Sequence, residues 1–328
     1  MLHVSAPYAA ADGLVRVYPA IMSTPDAAAE APTPALVWAH GGGFVAGDLD
    51  MPEADWVARA LAACGVTVIS VDYRLASAGF HYPAASDDVI AAWRWTLYNG
   101  EALGIDPARI AIGGASAGAN LVTGAVLRML RVEERPTQED ASRNPLAQAG
   151  SRDGAGAPPR PAVPPAGVFL AYPTLLAVQP APDAALRALL DANPVADRFD
   201  PANVRGMYEN YLGGPVDAAP LPAVPGLAAA SDVAGFPPVL MINGEADELR
   251  VSGEVFAATL AEAGVPLEFV VEPGTEHGHL NRPDEPAASD SIERVVRWIA
   301  GLDAAAARPA RPAEEPQTTL RTTEGIPS

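Results

Sequence analysis

The sequence predicts an α/β fold with a mostly parallel central sheet and helices on both faces. Three observations carry this. Short β-branched apolar runs alternate with longer amphipathic segments along most of the 328 residues, and strand, crossover helix, strand is the sequence mark of a parallel sheet buried on both sides. A hydrophobic share of 49% supplies the apolar surface for a packed core. Two stretches, 131–165 and 303–328, carry charge, Gly and Pro but almost no large apolar residues. Neither buries enough to offset the cost of ordering the chain, so both are expected to be mobile. The rest suits one large α/β domain over 1–302, followed by a disordered tail at 303–328.

The apolar runs predict strands at 14–18, 35–39, 67–71, 109–112, 167–171, 239–242 and 267–271. Helical periodicity predicts helices near 52–63, 84–98, 117–132, 253–263 and 290–300. The first of these has a start signal, with Asp50 as N-cap, Pro52 in the first turn and Glu53 three residues after the cap. Residues 181–230 break the rhythm with mixed helical and Pro-rich pieces and read as an excursion from the sheet that serves as a cap.

Composition narrows the chemistry. All 21 basic residues are Arg, so a Schiff-base lysine and the phosphate-binding lysine of a nucleotide loop are excluded. The formal charge of −19 opposes binding to nucleic acid or anionic membrane, both polyanions. Cys64 stands alone, which excludes an internal disulfide and a cysteine-based zinc cluster. No uncharged apolar run approaches the ~18 residues of a membrane span, and the first residues lack the basic start and apolar stretch of a secretory signal. A soluble cytoplasmic protein is expected, and a homodimer is compatible with the sequence.

Gly114-Ala115-Ser116-Ala117-Gly118 has the form G-x-S-x-G. A predicted strand runs into it and an apolar helix runs out, the setting in which a serine hydroxyl is held on a sharp bend at the C-terminal edge of a sheet. The same pattern alone also fits a Gly/Ser-rich helix entry or a phosphate-binding turn. His40-Gly41-Gly42-Gly43-Phe44 follows the strand at 35–39. Its three glycines leave backbone N–H groups unshielded, so that the amides of Gly42, Gly43 and Ala117 form a candidate oxyanion hole.

A nucleophilic serine needs a base and a group to orient that base. Of the five histidines, His277 and His279 lie in the loop after the last predicted strand, where such a base belongs. His277 is favoured because Gly278 and the preceding loop leave its ring free to face the bend; His279 is the fallback. A His-x-His metal site lacks its further ligands. The acid should follow the strand at 239–242, where Glu245, Asp247 and Glu248 crowd together. Asp247 is favoured, being short and leading into a helix. The order Ser116, Asp247, His277 is the serine–acid–histidine order of such a fold.

These pieces resemble the bacterial hormone-sensitive-lipase-like carboxylesterases, a branch of the α/β-hydrolase superfamily. The matching segments are HGGGFVAGDLD (40–50), VISVDYRLA (68–76), YPAASDD (82–88), IDPARIAIGGASAGANL (105–121), AYP (171–173), ADELR (246–250) and EHGHLN (276–281). The resemblance implies an α/β-hydrolase fold and hydrolysis of small carboxylic esters without cofactor or metal. It implies Ser116 as nucleophile, His277 as base, Asp247 as acid, and Gly42, Gly43 and Ala117 as oxyanion donors. Asp72, Tyr73 and Arg74 match a structural stretch. The chain departs from the family at Ala115, where many relatives carry Asp, at Ala119 for Gly, at Glu248 for Pro and at His279 for Phe. Its glycine loop also begins tens of residues earlier than in typical relatives. The expectation is therefore a reduced cap, supplied mainly by 181–230.

Two other readings make contact with the sequence. Gly41-x-Gly43-x-x-Ala46 fits a dinucleotide fingerprint, but Gly47 to Met51 separates it from the predicted helix, and Asp72 lies 31 residues beyond Gly41 rather than about 20. A non-catalytic ligand receptor on the same scaffold would not need all three triad positions filled. Amidase, lactonase or deacetylase chemistry would use the same triad.

Overall fold

A computed structural model describes residues 6–21, 32–131 and 163–306. Of the stretches expected to be mobile, 132–162 and 307–328 lie outside the described residues. The described strands are Tyr8–Ala10 (β1), Val15–Tyr18 (β2), Thr33–Ala39 (β3), Thr67–Val71 (β4), Ile105–Ala115 (β5), Val168–Ala171 (β6), Val239–Ala246 (β7) and Leu267–Glu276 (β8). They form one sheet in the order β1-β2-β4-β3-β5-β6-β7-β8. The pairs β1–β2 and β2–β4 are antiparallel and every other pair is parallel.

The described helices are Pro52–Ala63 (α1), Ala84–Asn99 (α2), Ala117–Leu130 (α3), Ala184–Ala192 (α4), Pro201–Leu212 (α5), Arg250–Glu262 (α6) and Pro286–Ala306 (α7). Side chains of a strand point alternately to its two faces, and here both faces are covered. In β3, Ala35, Val37 and Ala39 enter a core shared with Val89 and Trp93 of α2, Leu121 and Val122 of α3 and Phe256 of α6. Leu36 and Trp38 enter the opposite core with Val57 and Leu61 of α1 and Val295 and Ile299 of α7. Full burial of each Val, Leu or Ile here stabilises the fold by about 1.5–3 kcal/mol. Trp38 also stacks on Phe169 of β6 at 5.3 Å between ring centres.

The fold class read from the sequence is the one observed: an α/β fold with a mostly parallel sheet and helices on both faces. The differences lie at edges. β1 gives no sequence signal because it spans three residues, too few to show alternation, and it turns into β2 through Ala11–Gly13. β7 and β8 outrun their apolar stretches because the chain remains paired to Ala246↔Glu276. α7 begins at Pro286 and extends to Ala306, taking in the first positions assigned to the tail; alanine is the strongest helix former yet carries no periodic apolar signal. Asp50 does not cap α1. Met51 occupies the N-cap, Asp48 accepts from the Asp50 and Met51 amides, and Asp50 pairs with Arg16 at 2.7 Å. Glu53 consequently makes no capping box and turns into the core.

Residues 181–230 lie between β6 and β7 and contain α4 and α5. Phe44 of the glycine loop stacks on Tyr211 of α5 with ring centres 4.1 Å apart and meets Tyr208 edge-on. The hydroxyl of Tyr208 accepts from Asn120 of α3 and donates to the carbonyl of Thr174. The excursion is thus bolted to the segments leaving β3, β5 and β6.

Candidate active site

The C-terminal ends of β3, β5, β6, β7 and β8 deliver the glycine loop, Ser116, Tyr172, Asp247 and His277 to one edge of the sheet. Ligands of open α/β sheets bind at this edge. Ser116 stands between β5 and α3 with φ 51° and ψ −114°, in a region unfavourable to any side chain. Such a conformation costs on the order of 1–3 kcal/mol and persists only where the surroundings impose it. Here its amide donates to the carbonyl of Ala171 at 2.9 Å. The flanking glycines are required by contact: a Cβ on Gly114 would lie 2.4 Å from the carbonyl carbon of Gly118, and one on Gly118 would lie 2.2 Å from the carbonyl oxygen of Ala39.

Three side chains chosen from the sequence meet at this bend. His277 Nε2 lies 2.9 Å from Ser116 Oγ, and His277 Nδ1 lies 2.8 Å from Asp247 Oδ2. With its proton on Nδ1 the ring donates to Asp247 while Nε2 accepts from the serine hydroxyl. Asp247 is fully buried, and its second oxygen accepts from the Leu249 amide at 2.9 Å. The imidazole is held edge-to-face by Tyr172 at 5.0 Å and by Phe199 at 4.7 Å. Arg198 donates to the backbone carbonyl of His277.

The fallback histidine points elsewhere. His279 is fully buried, its Nε2 lies 2.9 Å from Ser291 Oγ, and burial pushes its pKa down to about 4. The neighbouring carboxylates also separate: Glu245 accepts from the Gly274 amide, and Glu248 accepts from the Phe199 amide. Desolvation raises the pKa of Glu248 above the ordinary glutamate value.

The glycine loop folds back on itself. Gly42, Gly43 and Phe44 have φ of 115°, 61° and 67°, and the Gly42 carbonyl accepts from the amides of Val45 and Ala46. A Cβ on Gly42 would lie 2.0 Å from the Ala46 carbonyl oxygen. His40 lies under the loop, stacked on Tyr73 and hydrogen-bonded to the Gly41 carbonyl, and burial lowers its pKa. The Tyr73 hydroxyl donates to the carbonyls of His40 and Gly41, while Arg74 grips Asp88 through two nitrogens. Among the described residues, the amides of Gly42, Gly43 and Ala117 donate to no protein acceptor.

Sequence reasoning missed three neighbours of the site. Tyr172 stood in the AYP segment without a role, and nothing in the sequence placed Phe199 against His277. Glu53 carries only a helix-start signal in the sequence, yet its carboxylate accepts from the Gly41 amide of the glycine loop.

A family described as having the alpha/beta hydrolase fold matches residues 36–281. Over 268 residues the chain is 36% identical to carboxylesterase NlhH of Mycobacterium tuberculosis, covering 80% of this chain and 71% of that protein. It is 30% identical over 254 residues to ethyl acetate hydrolase of Pseudomonas putida, covering 75% and 66%. The crystal structure of esterase LipW from Mycobacterium marinum matches with a TM-score of 0.66 at 26% identity, covering 91% of this chain and 81% of that one. The chain belongs to this α/β-hydrolase family.

Proposed function

We propose that the protein hydrolyses small, uncharged carboxylic esters through an acyl-enzyme on Ser116. The observation that carries this is the unbroken hydrogen-bonded series from Ser116 Oγ through His277 to Asp247, at 2.9 and 2.8 Å. Ser116 Oγ attacks the ester carbonyl while His277 Nε2 takes its proton, and Asp247 stabilises the imidazolium and keeps the ring in its tautomer. The carbonyl oxygen, now negative, accepts from the amides of Gly42, Gly43 and Ala117. Their freedom from protein acceptors and their position beside the bend support that role. His277 then protonates the leaving alcohol, and water repeats the sequence on the acyl-enzyme. Apart from the ester and water, every group in this scheme is a side chain or amide of the protein.

Two side chains of the excursion border the site. A Cβ on Gly43 would lie 3.2 Å from the sulfur of Met207 in α5, and Phe199 closes against His277. The relatives' names, carboxylesterase and ethyl acetate hydrolase, favour ester over amide or lactone. The test is turnover of a short-chain p-nitrophenyl ester. Ser116→Ala is expected to lower kcat by at least about 10⁴-fold while the protein stays folded. Turnover within tenfold of the parent would remove Ser116 from the chemistry.

A further inference from the structure

Glu53 sits at the second position of α1, is 2% exposed, and among the described residues has no cation within ion-pair distance. Its carboxylate is instead gathered by donors from three separate segments. Oε1 accepts from the Gly41 amide at 2.5 Å, and Oε2 accepts from the Tyr172 hydroxyl at 2.5 Å and from Asn281 Nδ2 at 3.0 Å. The Glu53 amide in turn donates to Asn281 Oδ1 at 3.2 Å. The N-terminal end of α1 favours the negative charge.

Each donor belongs to a part of the site. Gly41 immediately precedes Gly42 and Gly43. Tyr172 presents its ring to His277, and Asn281 lies in the turn that follows His277. A Cβ on Gly41 would lie 2.6 Å from Glu53 Oε1 and 3.2 Å from Ser116 Cβ, so the Gly41 backbone has the carboxylate and the serine as close neighbours. A run of three glycines has little conformational preference of its own, yet oxyanion donors must be aimed to within a few tenths of an ångström. Burying a carboxyl group carries a desolvation cost that a well-packed apolar residue would avoid.

We propose that Glu53 is a positioning residue of the active site, a carboxylate clamp that fixes the oxyanion loop and the His277 wall relative to one another. This rests on the acyl-enzyme reading of Ser116. In Glu53→Gln one acceptor oxygen becomes a donor, so at least one of the three contacts is lost with little change in volume. The expected result with a p-nitrophenyl ester is a fall in kcat of about 10–100-fold. KM should stay within threefold of the parent, and the Ki of an aryl trifluoromethyl ketone, whose hemiketal carries the oxyanion, should rise in proportion to the loss of kcat/KM. Tyr172→Phe removes one donor and carries the test if Glu53→Gln does not fold. It should lower kcat at least threefold, with the same parallel rise in Ki. A kcat within twofold of the parent in the folded variant, or a loss confined to KM with Ki unchanged, overturns the clamp. Turnover abolished by Ser116→Ala but kept in Glu53→Gln sinks the clamp alone; turnover surviving Ser116→Ala sinks the acyl-enzyme reading.

Discussion

Two histidines separated by a single residue, His277 and His279, have opposite environments. The intervening Gly278, at φ 78°, turns the chain so that one ring reaches Ser116 while the other enters the core beside Ser291 and Tyr172. His279 has its folded pKa pushed below the unfolded value, to about 4 against about 6.5. Between these values the unfolded chain binds more protons, so this stabilisation is complete above pH 6.5 and is lost as pH falls toward 4. Burial as the cause sets an upper bound of about 3 kcal/mol on the effect. Urea unfolding of the parent should show stability declining across that window, and His279→Phe should show a shallower decline. Equal slopes would mean that His279 does not stay neutral when buried. Sequence alone could favour His277 through the freedom of its loop, but Ser291 as a partner for His279 lies in a different element and left no local sign.

The helix α3 illustrates how packing between elements assigns roles to glycines that look alike in sequence. A Cβ on Gly124 would lie 2.0 Å from the Pro222 carbonyl oxygen, whereas one on Gly206 in α5 would meet nothing within 4 Å. Gly124→Ala forces backbone apart and should cost about 1–3 kcal/mol. Gly206→Ala restricts only the unfolded chain and should stabilise by about 0.4–1 kcal/mol. Thermal melts giving a lower Tm for the first and a higher one for the second check this, and the same sign for both would contradict it. Elements with a strong local signature were legible: β4 and α1 have the bounds their apolar patterns predict. In the excursion α4 and α5 were not resolved into separate helices, although each carries an aspartate N-cap. Asp183 accepts from Leu186, and Asp200 accepts from Ala202 and Asn203. The prolines around them mask the helical period, and their apolar faces are defined only by what they cover.

At the scale of the molecule, a net charge of −19 surrounds a site proposed to act on neutral esters. Such a field lowers the local concentration of anions and is screened over about 10 Å at 0.1 M salt. For an ester whose acyl chain ends in a carboxylate, kcat/KM should rise as sodium chloride is increased from 0.01 to about 0.3 M, while that of its uncharged isostere should stay level. A salt-independent ratio would show that local groups, not the overall field, set access. The arrangement of the site was readable from sequence to the extent that each part had a motif of its own at a strand exit. What no motif could supply was the meeting of residues 161 positions apart, Ser116 and His277, which the parallel sheet brings about by ending β5 and β8 at one edge. The most direct measurement is covalent labelling with a fluorophosphonate, followed by mass spectrometry of the peptides. One equivalent attached to Ser116, with labelling strongly slowed in His277→Ala, is the predicted result. Attachment to any other residue, or an unlabelled protein that still turns over esters, would contradict it.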